Sequence, residues 1–264
     1  NSLLLYLVKI TAGTTLFYLC YLLFFRNDTF YLRNRIFLIL TLLLPTVVPA
    51  LKITVNSVSA LPAEPVTAIE NIIYQVTAIE ATFSATTNSF DYSKVLLLIY
   101  FVVAGLLLLR GVISLMSTFK IIKNGEITSS AFPKIIVTDY RISPFSFFPY
   151  AVIPAEDYMA ENSSSIIEHE FAHIRQGHTF DLLLSEFFIV IQWFNPFIWL
   201  VKRSIIQNHE YLADHVSLKN NKNIKEYQYR LLNVNTRLRN ISLAHNFNSL
   251  IKNRILMINR KPSR

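Results

Sequence analysis

His169-Glu170-Phe171-Ala172-His173 is the stretch on which the reading of the whole chain turns. Residues four apart on an α-helix share a face, so this spacing aims two imidazoles at one point and turns Glu170 aside by about 100°. Zinc chemistry of the H-E-x-x-H type needs that arrangement: two nitrogens about 2.0–2.1 Å from the metal, and a carboxylate left over to take a proton from water. Short motifs also fall on helix faces that bind nothing, so the surroundings matter. Ser165 and Glu168 are spaced as a capping box, which predicts a helix start directly before the motif.

A candidate third ligand lies downstream. Asn195-Pro196 predicts the N-cap and first residue of a later helix, which carries Glu210-Tyr211-Leu212-Ala213-Asp214. Glu210 and Asp214 are again four apart. Two histidines and a glutamate around zinc, with a fourth position open, form a recognised catalytic set. Asp214 would then support a ligand histidine by accepting its far N–H. Read alone, both acids are ordinary solvated helix charges; beside H-E-x-x-H the metal reading is the stronger. His178, His209 and His215 fall off the ligand face and are not expected as ligands, His178 being exposed or a supporting neighbour.

Upstream the chain turns apolar. Leu3 to Phe25 is long enough to cross a bilayer and too long for a signal-peptide core. Spans are expected at about 3–25, 36–51 and 95–116, with a Ser/Thr/Ala/Glu-rich loop over 52–94. Arg26, Arg33 and Arg35 after the first span, and Lys120 and Lys123 after the third, put those ends on the cytoplasmic side and the loop outside. The chain therefore divides into a transmembrane region, 1–119, and a metallopeptidase domain, 120–264. Pro133–Tyr140 and Ser146–Ile153 read as two strands of a small sheet. Phe180–Leu200 is apolar enough for a fourth span, but a single crossing there would separate His173 from Glu210. It is expected to turn back, inside the domain or into the membrane surface.

The net charge of +8, in a chain 52% hydrophobic, is explained by basic residues flanking the spans; no nucleic-acid motif accompanies it. The single cysteine, Cys20, excludes internal disulfides and a cysteine metal site. Ser117-Thr118-Phe119-Lys120 and Ser249-Leu250-Ile251-Lys252 match S-x-x-K, but the K-T-G and S-D-N partners of a penicillin-binding site are missing. The chain begins on Asn1 and ends on a basic run, as a fragment of a longer protein would.

The ordered set of His169–His173, then Trp193-Phe194-Asn195-Pro196-Phe197-Ile198-Trp199, then Glu210–Asp214 resembles the BlaR/MecR-type membrane zinc metallopeptidases, which are gluzincins and antirepressor signal transducers. The likeness covers most of the chain. At His178 the chain departs from relatives that often carry an acidic residue. The resemblance implies a mainly α membrane protein: about three transmembrane helices, then a cytosol-facing α+β gluzincin-like domain with a small sheet. It also implies His169, His173 and Glu210 as zinc ligands and Glu170 as the base. The expected location is the bacterial cytoplasmic membrane. The expected partners are a protein substrate such as a transcriptional repressor, membrane lipid and a second copy of the chain, with no direct nucleic-acid contact. Tyr211 and His215 are the candidates for an oxyanion donor. The rival reading is a non-catalytic membrane signalling or scaffold protein with a structural or vestigial metal site.

Overall fold

The structure is a computed structural model that describes residues 2–51, 92–129, 131–161, 163–220, 224–238, 244–261 and 263. Most of the loop expected outside the membrane, 52–91, falls outside the described residues. Among those described, three helices are long and apolar enough to cross a membrane. Helix α1 is Ser2–Cys20, prolonged by a π turn over Tyr21–Phe25; α2 is Tyr31–Val47; α3 is Tyr92–Asn124. The second starts five residues earlier than expected, because Arg33 and Arg35 sit in its first turns, Arg33 on Asp28 and Arg35 on Asp181. The third is 33 residues long and runs past residue 116, with no buried residue along it.

Beyond α3 comes a four-stranded mixed sheet, β1 Glu126–Ser129, β2 Lys134–Thr138, β3 Phe145–Phe147 and β4 Tyr150–Pro154, in the order β1-β2-β4-β3. The two strands read from the sequence are present, but the second is a hairpin: Phe148-Pro149 interrupts it, since proline has no N–H to give a ladder. The short β1 goes beyond the sequence reading. β2 and β4 pair in parallel, and β3 closes the edge against β4 in antiparallel register. A single turn, α4 Ala155–Tyr158, leads to α5 Ser163–Arg175, which carries the motif. Ser165 lies inside the first turn of α5 and does not cap it: three consecutive serines leave the start open, and packing, which buries Ser165 to 8% exposure, selects the earlier one.

Helices α6 His178–Ile191 and α7 Pro196–Asn220 form an antiparallel hairpin, so the apolar Phe180–Leu200 segment does turn back. Asn195 Oδ1 accepts from the N–H of Phe197 at 3.0 Å, the cap its sequence predicts. Helices α8 Ile224–Leu238 and α9 Ala244–Ile258 complete the chain. One core joins the apolar helices to the hairpin, built from Tyr18, Leu38, Leu42, Phe188, Ile198 and Ile205 among others. Side-chain polar contacts also join these helices: Tyr18 Oη with Ser204 Oγ at 3.2 Å, and Asn208 Nδ2 on the Tyr31 carbonyl at 3.0 Å.

Candidate metal centre

Helix α5 stops because Gly177 adopts a left-handed conformation, φ 67°, at the turn into α6. The chain reverses there and α6 begins on His178, returned against the face that carries His173. Helix α7 packs on α5 and brings Glu210 and Asp214 to the same side. His169 Nε2 and His173 Nε2 lie 3.2 Å apart, and the Glu210 carboxylate straddles them, Oε2 at 3.6 Å from the first and Oε1 at 3.5 Å from the second. One ligand atom from each of the three falls within 4.8 Å of the others. Ligands about 2.0–2.2 Å from a tetrahedral ion stand about 3.3–3.6 Å from one another. The separations match those of three groups that could hold one tetrahedral ion.

The proton positions agree with this. Tyr227 Oη donates to Asp214 Oδ1 at 2.6 Å and lies 3.2 Å from His169 Nδ1, so it accepts the His169 Nδ1–H and leaves the Nε2 lone pair facing Glu210 and His173. The sequence reading has Asp214 accept that N–H directly. The structure interposes Tyr227, with 3.7 Å left between His169 Nδ1 and Asp214 Oδ1. Asp214 is fixed in turn by Arg254, whose Nε donates at 2.9 Å and whose Nη2 donates to the other oxygen. Arg254 also reaches Glu210, Nη1 to Oε2 at 2.7 Å.

His173 is held differently. Its Nδ1 is 2.7 Å from Nδ1 of His178, and His178 Nε2 is 3.1 Å from Gln176 Oε1. Only one arrangement satisfies both contacts with His173 Nε2 free: His173 Nδ1–H donates to His178 Nδ1, and His178 Nε2–H donates to Gln176. His178 is 2% exposed, so it is the supporting neighbour and not a surface residue. Its ring stacks on that of His209, centroids 3.9 Å apart, and His209 Nε2 sits 2.7 Å from Asp181 Oδ2. Arg35 Nε donates to the same oxygen at 2.7 Å, which ties the start of α2 to the motif.

Electrostatics separate the two histidines. Burial lowers the His169 pKa, but the hydrogen bond and charge of Glu210 outweigh it, and the net direction is up. Burial pushes His173 down to about 3, with the neighbouring His169, His209 and Arg254 adding to it against Glu210. Glu210 itself lies well below the carboxylate range: burial raises it, but Arg254 and the two histidines prevail. Glu170, 8% exposed, is raised to about 6 by burial, with Glu210 adding to that and His169 and a hydrogen bond with Ser146 on β3 opposing it. It is therefore mostly ionised at neutral pH, and basic enough to accept a proton.

Tyr211 and His215 face elsewhere. Tyr211 bonds Gln207 and both rings meet Tyr31, beside a cavity of about 310 Å³ between α7, α9 and the α1–α2 turn. Tyr227 and Arg254 are absent from the sequence reading. Arg254 left a signal: it shares a helix face with Leu250 and Met257, where a charge needs a buried partner. Tyr227 left none.

Two comparisons with known proteins bear on the site. The family model described as BlaR1 peptidase M56 matches residues 33–258. The regulatory protein BlaR1 of Staphylococcus aureus is 40% identical over 102 residues, covering 35% of this chain. That match spans 17% of the relative's own length.

Proposed function

The chain belongs to the BlaR1 peptidase M56 family, a family of metallopeptidases, and from that premise we propose that it is an integral membrane zinc metallopeptidase that hydrolyses peptide bonds of a protein substrate. The observation that carries this is the convergence of His169 Nε2, His173 Nε2 and the Glu210 carboxylate at tetrahedral-ligand separations, with both Nδ1 protons already committed elsewhere. Zinc fits this donor set of two neutral imidazoles and one carboxylate. When bound it supplies Lewis acidity, polarising the scissile carbonyl and acidifying water.

The chain's own residues do the rest. Glu170 Oε takes the proton from the attacking water and passes it to the leaving amide nitrogen, a task suited to its raised pKa. Arg254 neutralises Glu210 and Asp214 and fixes the carboxylate pair. Strand β3 is an edge of the sheet and packs on α5, and its Ser146 reaches Glu170. An extended substrate pairing along that edge would pass the base at hydrogen-bonding range.

The basic flanks of α1–α3 support a peptidase part on the cytoplasmic side of a bacterial inner membrane. The name of the regulatory relative supports a regulatory role, and a transcriptional repressor is the substrate proposed for it. One observation favours the rival, a signalling protein with a vestigial site: Arg254 occupies one oxygen of the third ligand. The two readings part on Glu170→Gln. The peptidase reading predicts that this variant keeps its metal and loses cleavage of a mixed peptide library by about a hundredfold or more. A variant that cleaves like the native chain would remove Glu170 from the mechanism.

A further inference from the structure

The tip of the α6–α7 hairpin, Gln192 to Asn195, meets α1 at a telling place. Thr14 Oγ1 lies 3.1 Å from Gln192 Oε1, and Thr14 stands at the centre of the apolar stretch Leu3–Phe25. Asn195 Nδ2 donates to the same Gln192 oxygen at 3.1 Å, and Thr14, Gln192 and Asn195 are all fully buried. On the other flank, Tyr100, in the third turn of α3, donates its hydroxyl to the Ile191 carbonyl at 2.9 Å. Two independent helices thus place the hairpin tip well inside the span, and not at its end.

The rest of the hairpin has the surface such a depth requires. Phe180, Leu183 and Phe187 form an exposed stripe at helical spacing along α6, and Phe194, Trp199 and Leu200 are exposed at and just beyond the tip. In water these would form an apolar patch needing a partner. Phe194 meets Tyr100 of α3, a helix that packs on α6 and has no buried residue. The charges below the tip are managed: Glu186 pairs with Lys202, and Arg203 lies about 12 Å down α7, close enough to the edge of a hydrocarbon core about 15 Å deep on each side to snorkel. Asp181 pairs with Arg35 near the start of α2, so the roots of α2 and α6 lie at one level.

We propose that α6–α7 is a re-entrant membrane hairpin, its Gln192–Asn195 tip at mid-bilayer and its Phe180–Phe187 stripe against lipid acyl chains, which hangs the metal triad at headgroup level. This rests on the membrane-spanning reading of α1–α3. The level follows from helix rise: His178, against the triad, is about 20 Å below Ile191, a few ångströms outside the hydrocarbon. The bond such a site reaches is one held at the membrane surface, so the substrate is a peptide segment lying in or next to the headgroup layer.

The chain carries its own probes, because its two tryptophans, Trp193 and Trp199, both stand at the tip. The full chain is reconstituted into phosphatidylcholine liposomes, its flotation with alkali-washed vesicles is checked, and tryptophan emission is compared in lipids brominated near the chain ends and near the headgroup. Loss of most of the emission with deep bromines and little with shallow ones is the expected result, in the native chain and in Trp193→Phe and Trp199→Phe separately. Flotation with quenching strongest near the headgroup, or with none, overturns the re-entrant hairpin and leaves the spans standing. Failure to float overturns both.

Discussion

The two histidines of one motif are held by different parts of the chain. His169 is supported from the C-terminal helices, through Tyr227 on α8 and the Asp214–Arg254 pair that reaches α9. His173 is supported by its own helix turn and the α6–α7 hairpin, through His178 and Gln176, with His209, Asp181 and Arg35 packed behind. The first arm ends in a buried charge, the second in a neutral amide. One pKa is raised and the other lowered because His169 takes the hydrogen bond of Glu210 as well as its charge, whereas burial prevails at His173, although the residues are identical and four positions apart. It also means that the site is completed from two directions: an α2 movement bears on His173 first, an α9 movement on His169.

The largest effect is expected from the charged arm. Asp214→Ala removes the acceptor of Tyr227 and leaves Arg254 only Glu210, and should cost about 3–5 kcal/mol of stability and about 10–100-fold in zinc affinity. Chemical denaturation and competitive zinc titration measure the two. The neutral arm should behave otherwise. His178→Phe keeps a ring to stack on His209 but removes the acceptor of His173 Nδ1–H, so zinc affinity should fall about 10–100-fold with a much smaller loss of stability, since no charge is uncovered. Equal stability losses in the two variants would erase the distinction.

Titration sharpens the contrast further. With His169 raised above its ordinary value, zinc must displace its proton once the pH drops below that raised pKa, and affinity should fall about tenfold per unit there. His173, held down to about 3, adds no second proton in that range. A one-proton slope is expected below the ordinary histidine pKa of about 6.5, and a two-proton slope would show that the arms titrate alike. The smallest change is Tyr227→Phe, which removes one bridging hydroxyl and should cost about 1 kcal/mol, with a zinc affinity loss below that of His178→Phe.

Much of this was legible in the sequence for a physical reason. Ligand spacing on a helix is local, so His169, His173 and the Glu210–Asp214 pair could be read directly, as could the Asn195-Pro196 helix start and the apolar runs. Tyr227 could not, because its partner is 58 residues away and nothing local marks a tyrosine as a bridge. The capping box failed for a related reason: a serine run fixes the helix start only to within a turn, and tertiary burial decides the rest. His178 was placed near the site by its spacing, but its role needed the left-handed turn at Gly177, which sends the chain back over His173.

All of this depends on a metal being held where the three ligand atoms meet. The direct test is zinc per chain, by elemental analysis after detergent purification and zinc loading, in the native protein and in Glu210→Ala, with circular dichroism to confirm that both are folded. About one zinc in the native chain, lost or much weakened in the variant, is the predicted result. A folded native chain that takes up no zinc, or a variant that binds it as tightly as the native chain, would contradict the account.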